Sequence, residues 1–216
     1  MMSQDGNQRS GGKWSVFSYD ESGRILEERL IAPANCPPRA ALQAAFYSGN
    51  TPSTYYAAGT TLRECTYDTY PSSMDSSLSF VAVPGVVADS TRISDISSML
   101  SYERVNVLGT ETYATRAFYY DKHGHVVQTV EKRPDGEILR TSLLFDLRGN
   151  VLASQSHFTI ASLNINDILA STFTYDSRGR KLTETSTLNG NVAIANVAYS
   201  YDNLGRLSVR SYNSEA

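Results

Sequence analysis

The sequence predicts an all-β protein built as an antiparallel meander of hairpins, and three observations lead there. The stretch "YDSRGRKL" begins at Tyr175 and "YDNLGRLS" at Tyr201; the same frame recurs as "YDESGRIL" from Tyr19, "YDKHGHVV" from Tyr120 and "FDLRGNVL" from Phe145. Fourteen Tyr and 7 Phe sit among abundant Ser, Thr and Val, a composition that suits strands. The 216 residues are 41% hydrophobic and 19% charged, which is globular and sufficient for a real core.

Residues 1–13 read as a polar leader, expected to be disordered, or as a break made inside a longer chain, since "MMSQDGNQRSGG" lacks the apolar run of a signal peptide. Residues 14–101 form an irregular N-terminal region. It opens with a hairpin over 14–31 around the Tyr19 frame. The stretch "PPRAALQAAFYSG" predicts a short helix near 38–47, with Pro37 and Pro38 at its start and Gly49 beyond its end. Ser and Thr dominate 69–101, broken by Pro71, Pro84 and Gly85, so loops are expected there with one short strand around 80–83. Residues 102–213 read as a regular meander of about eight strands.

Each frame is a hairpin corner. Asp at the first turn position accepts hydrogen bonds from backbone N–H groups two residues on, and Gly at the fourth takes a positive φ at no steric cost. The structural positions are therefore Tyr19, Asp20 and Gly23; Tyr120, Asp121 and Gly124; Phe145, Asp146 and Gly149; Tyr175, Asp176 and Gly179; Tyr201, Asp202 and Gly205. Tyr67-Asp68 reads as a damaged sixth copy without its glycine. In the C-terminal part the aromatics recur at roughly 25 to 30 residues, the period of a structural repeat. Flanking aromatics two residues apart, such as Phe173 and Tyr175, share one face, expected to be the buried one. Val127 and Leu182 are expected among the apolar residues that follow the turns. Further turns are expected at "RPDG" from Arg133, at "LNGN" from Leu188 and around Gly109, with one longer connection over 159–167.

Several functions have no basis in these residues. The formal net charge is −3 and the charges are dispersed, unlike the clustered Lys and Arg of a nucleic-acid footprint. No run of 18 apolar residues exists to cross a bilayer as a helix, so no membrane insertion is expected. Phosphate-cradling loops, nucleophile elbows and His-Glu-x-x-His motifs are all missing, so no catalytic residue and no cofactor are assigned. Asp121, His123 and His125 could together hold a metal, but no third histidine is near, and they read as turn residues with no metal assigned. Arg24, Arg180 and Arg206 could form a ladder for an anion; the preferred expectation is that each pairs with its turn Asp or lies over a neighbouring ring. The cysteines Cys36 and Cys65 permit a disulfide without implying one.

Tandem "YDxxGR" turns behind aromatic-rich strands resemble the Rhs/YD-repeat family, and "YYDKHGHVVQT" followed by "FDLRGNVLAS" resembles Rhs-type proteins of Bacteroidetes. The likeness runs over roughly residues 14–213. It implies a β-sheet that spirals into a hollow shell or surface scaffold, enclosing or presenting a C-terminal toxin or effector in full-length relatives. The family's "DPxGL"-like junction is absent, so neither its autoproteolytic aspartates nor a toxin domain carries over. The resemblance also implies a bacterial product that is secreted or surface-associated. Its expected partners are the remaining repeats of a longer chain, or further copies joined through open strand edges. The alternative function is a binding module for a glycan or cell-surface ligand, for which the off-frame Tyr55, Tyr56, Tyr113 and Tyr212 are the candidate contacts.

Overall fold

The computed structural model describes residues 2–3, 13–31, 40, 44, 59–191 and 193–212. Among the described residues, thirteen strands form one antiparallel sheet whose strand order is the chain order. They are β1 (Met2–Ser3), β2 (Trp14–Tyr19), β3 (Ile25–Ile31), β4 (Thr60–Asp68), β5 (Ile96–Asn106), β6 (Tyr113–Tyr120), β7 (Val126–Lys132), β8 (Ile138–Phe145), β9 (Val151–Ile160), β10 (Ile165–Tyr175), β11 (Lys181–Leu188), β12 (Ala193–Tyr201) and β13 (Leu207–Tyr212). The all-β meander is as the sequence predicts. Ala40 and Ala44 are helical, and the rest of the expected 38–47 helix lies outside the described residues, as does most of the 1–13 leader.

Two compact units emerge: residues 1–66 with 103–114, and residues 67–102 with 115–216. In the first, β2 and β3 pair from Trp14↔Ile31 to Tyr19↔Ile25, and Glu27 faces Glu64 across β3 and β4. That like-charge pair is tolerated because each carboxylate has its own cation. Glu27 accepts from Arg29 Nε at 2.7 Å and Glu64 from Arg104 Nη2 at 2.6 Å. Val16, Ile31 and Cys65 are buried in this unit.

The second unit corrects the expectation for 69–101. No strand forms over 80–83; Val83 makes only an isolated bridge with Val87, and the strand lies later, as β5. The segment before β5 is a strap across one face of the sheet. Its Leu78 is fully buried with Ala117, Tyr119 and Val130, and Val83 and Val87 pack on Val127. Tyr119 donates its hydroxyl to Leu78 O at 2.8 Å, while its ring stacks on Tyr70 at 5.0 Å and meets Phe80 edge-on at 5.4 Å. Gln128, also fully buried, receives Val81 N–H at 3.0 Å and returns Nε2–H to Val81 O at 2.7 Å, fixing the strap to β7.

The most buried aromatic among the described residues is thus Tyr119, which points opposite to its frame neighbours Phe118 and Tyr120. The frame aromatics were expected on the buried face; the strap instead buries Tyr119 most deeply, and of the frame aromatics Phe145 packs against its Val83–Val87 cluster. Tyr120, Phe145, Tyr175 and Tyr201 are half-buried, and Tyr19 is 40% exposed.

Turn predictions fared better than connection lengths. Asn189 (φ 52) and Gly190 (φ 70) make a two-residue turn between β11 and β12. The expected long connection over 159–167 shrinks to a single 3-10 turn, Ala161–Leu163, closed by Asn164 at φ 54, and Thr159 and Asp167 lie inside β9 and β10. Tyr67-Asp68 does not build a sixth frame. Asp68 itself takes φ 67, and its carboxylate accepts Ser98 N–H at 2.5 Å.

Candidate functional site: an interlocked column of turns

All five frames fold into one turn, dictated by five consecutive residues. In the first, Gly23 N–H donates to Asp20 O at 3.0 Å and Asp20 N–H to Arg24 O at 3.0 Å. Asp20 Oδ1 accepts the amides of Ser22 and Arg24 at 2.9 and 2.8 Å, and Oδ2 accepts Arg24 Nε at 2.6 Å. The pattern repeats at Asp176 with Arg178 and Arg180, and at Asp202 with Leu204 and Arg206. Where arginine is replaced, the replacement fills its place: His125 Nδ1 meets Asp121 Oδ2 at 3.0 Å, and Asn150 Nδ2 donates to Asp146 Oδ2 at 2.8 Å. Each frame also carries a bulge just before its aromatic, so that Tyr120 pairs with Val126 and Tyr175 with Lys181. Val127 and Leu182 are therefore the extra residues of bulges, not the partners of the aromatics.

Electrostatics follows from this geometry. The backbone N–H of Arg24 is the largest influence holding Asp20 below the usual carboxylate range, and Arg180 and Arg206 do the same for Asp176 and Asp202. For Asp146 the leading cause is the Asn150 side-chain amide. At Asp121 burial is the largest single influence and pushes upward, but the His125 ring and the amides of His125 and His123 together outweigh it.

Successive frames grip one another. Two of the residues that follow a frame glycine, His125 and Arg180, lie on the aromatic and the glycine of the next frame, and Asn150 approaches the glycine alone. His125 stacks on Phe145 at 4.7 Å, and Arg180 covers the Tyr201 ring at 4.5 Å. A Cβ added to Gly149 would lie 3.5 Å from His125 Nε2, and one added to Gly205 3.3 Å from Arg180 Nη1. The tyrosine hydroxyls reach back in turn: Tyr201 donates to Lys181 O and Tyr175 to Val151 O, both at 2.8 Å, each the second residue after the preceding glycine. Tyr120 donates likewise to Leu100 O at 2.7 Å.

The arginine ladder therefore resolves into Asp locks and ring covers. His123 and His125 lie 5.9 Å apart, with His125 engaged by Asp121 and Phe145. Among the described residues no group of three or more His, Cys, Asp or Glu side chains is arranged to hold a metal. Of the off-frame tyrosines, Tyr113 is half-buried beneath Arg104, whose guanidinium carbon is 4.6 Å from the ring centre. Tyr212 is 64% exposed beside Arg210 at 4.8 Å. Tyr55 and Tyr56 lie outside the described residues.

Sequence reasoning missed a charge-reversed frame at "RPDGE". Arg133 N–H donates to Glu137 O at 2.8 Å and Gly136 N–H to Arg133 O at 3.0 Å, and the Arg133–Glu137 ion pair closes the loop at 3.0 Å. The signal was present, because Arg and Glu stand at the positions Asp and Arg hold elsewhere. This column of self-closing turns defines a repeat-built β-sheet. No protein-family model matches the chain, and no curated protein matches it.

Proposed function

We propose that this chain is a non-catalytic structural segment of Rhs/YD-repeat type, exported and surface-associated. In that role it builds part of a β-shell or cell-surface scaffold, which encloses or presents a C-terminal toxin or effector in a longer product. The observation that carries this is the repeated grip between frames, because its contacts serve one copy's attachment to the next and leave little for a soluble ligand. It is also incomplete at the last copy. Arg206 pairs with Asp202, yet its side chain is 74% exposed and no ring lies beneath it among the described residues. β13 pairs only with β12 among the described strands and keeps Leu207, Val209 and Tyr212 exposed. Such an edge suits a further hairpin bearing the same frame.

The test is solution mass by light scattering across a concentration series, for the parent chain and for Val209→Lys, which places a charge on the β13 edge. Mass rising with concentration in the parent, and suppressed in the variant, is the expected result. A monomer at every concentration would overturn the open-edge proposal and favour an independent binding module.

A further inference from the structure

A small cleft lies between the strap and strands β8 and β9, with a volume of about 130 Å³. Val83 and Pro84 form its apolar side, and Arg140, Ser142, Gln155 and His157 its polar side. These polar residues are cross-strand neighbours, Arg140↔His157 and Ser142↔Gln155, so a rigid ladder fixes their spacing. Among the described residues, no carboxylate lines the cleft.

Arg140 is what makes the cleft unusual. Eight arginines, Arg24, Arg29, Arg63, Arg104, Arg116, Arg133, Arg180 and Arg206, have a carboxylate partner. Among the other described arginines, Arg92, Arg148, Arg178 and Arg210 are exposed to water. Arg140 alone in that group is half-buried, and burial draws its pKa below the ordinary value. Its Nη2 donates to Ser77 O at 3.2 Å and Ser79 O at 3.3 Å, while its buried Nε has no partner. A half-buried cation with no carboxylate partner among the described residues carries a desolvation cost, and proteins tend to keep such groups paired.

The neighbouring polar groups are donors with capacity to spare. Ser142 Oγ accepts Gln128 Nε2–H at 2.8 Å, which leaves its own O–H free to donate into the cleft. The side-chain amide of Gln155 has no hydrogen-bond partner among the described residues. One guanidinium, one hydroxyl and one amide against an apolar wall suit a single negative charge carried on a short apolar group. The space equals roughly four water volumes. We propose that this cleft binds a carboxylate, either a free short-chain monocarboxylate or the acidic side chain of a peptide. The missing counter-charge of Arg140 is the bound carboxylate.

The test uses the full chain, with sodium propionate against sodium chloride at matched ionic strength, read by thermal melting and calorimetric titration. For affinity on the order of millimolar, 100 mM propionate should raise the melting temperature by roughly 5 °C, with no such rise in chloride. Arg140→Met should fold with a melting temperature no lower than the parent and lose the propionate response; a purely structural Arg140, bracing Ser77 and Ser79, would instead leave that variant weakened. If Arg140→Met does not fold, Gln155→Leu serves, with binding weakened at least about fivefold. A blocked tripeptide with one central Glu forms the second arm: tighter binding than propionate identifies an acidic peptide as the source, and weaker binding a free acid. No response to either probe, or a response unchanged in the variant that folds, overturns the proposal.

Discussion

Replacing Leu78 with alanine asks whether residues 69–95 are a decorative insertion or the cover of the core. Leu78 is 0% exposed and packs among Ala117, Tyr119 and Val130. The substitution removes three carbons. At ~0.8 kcal/mol per buried methylene the transfer loss is about 2.4 kcal/mol, and a partly unrelaxed cavity adds to it, giving about 3 kcal/mol. The hydrogen bond from Tyr119 survives, because it uses the Leu78 backbone. Urea unfolding followed by the near-ultraviolet tyrosine signal measures the loss. Leu147→Ala is the control; that side chain is 95% exposed and should change stability by less than about 0.5 kcal/mol. A Leu78→Ala loss below about 1 kcal/mol, or one matching the control, would refute the claim that the strap builds the core.

Four further outcomes follow from the turns and the strap. Gly149 sits at φ +84, so Gly149→Ala should cost about 1 kcal/mol by denaturant unfolding, while the same change at an ordinary strand position would not carry that strain. Tyr201→Phe removes one hydrogen bond to Lys181 O and should cost about 1 kcal/mol, with the fold retained because Phe145 already occupies an equivalent position without a hydroxyl. Acid should unfold the chain through its turn carboxylates. The pKa values of Asp20, Asp121, Asp146, Asp176 and Asp202 are lowered on folding, so their contribution is complete above about pH 4 and fades as pH falls through the folded values. Asp75, drawn down to about 2 chiefly by its hydrogen bond from Lys132, extends that limb, and Asp75→Asn should flatten it between about pH 4 and 2 in melting curves.

What the sequence made legible was local. Asp-x-x-Gly-Arg states a turn within five residues, and its hydrogen bonds need nothing from elsewhere, so all five frames could be placed. The strap was hidden because its reason for existing lies far along the chain: Leu78 is explained by Tyr119 and Val130, and Gln128 by Val81. Ser-rich sequence with scattered apolar residues carries no period that announces such a partner. The same distance hid the burial of Tyr119, since alternation told which residues share a side but not that the strap would cover this one. The grip of His125 on Phe145 and of Arg180 on Tyr201 needed the register between copies, which only the assembled ladder supplies.

That grip has a direction. His125 and Arg180 each reach forward to a ring encountered later in the chain, while the tyrosine hydroxyls reach back to strands already laid down. During synthesis a finished hairpin that carries such a residue thus offers a formed seat to the frame that follows, and assembly there can proceed from the N-terminal side with each step closing a short loop. Tension applied at the C-terminal end would meet the same contacts in reverse, one hairpin at a time. Resistance would then be set by the strength of a single grip and not by the length of the sheet.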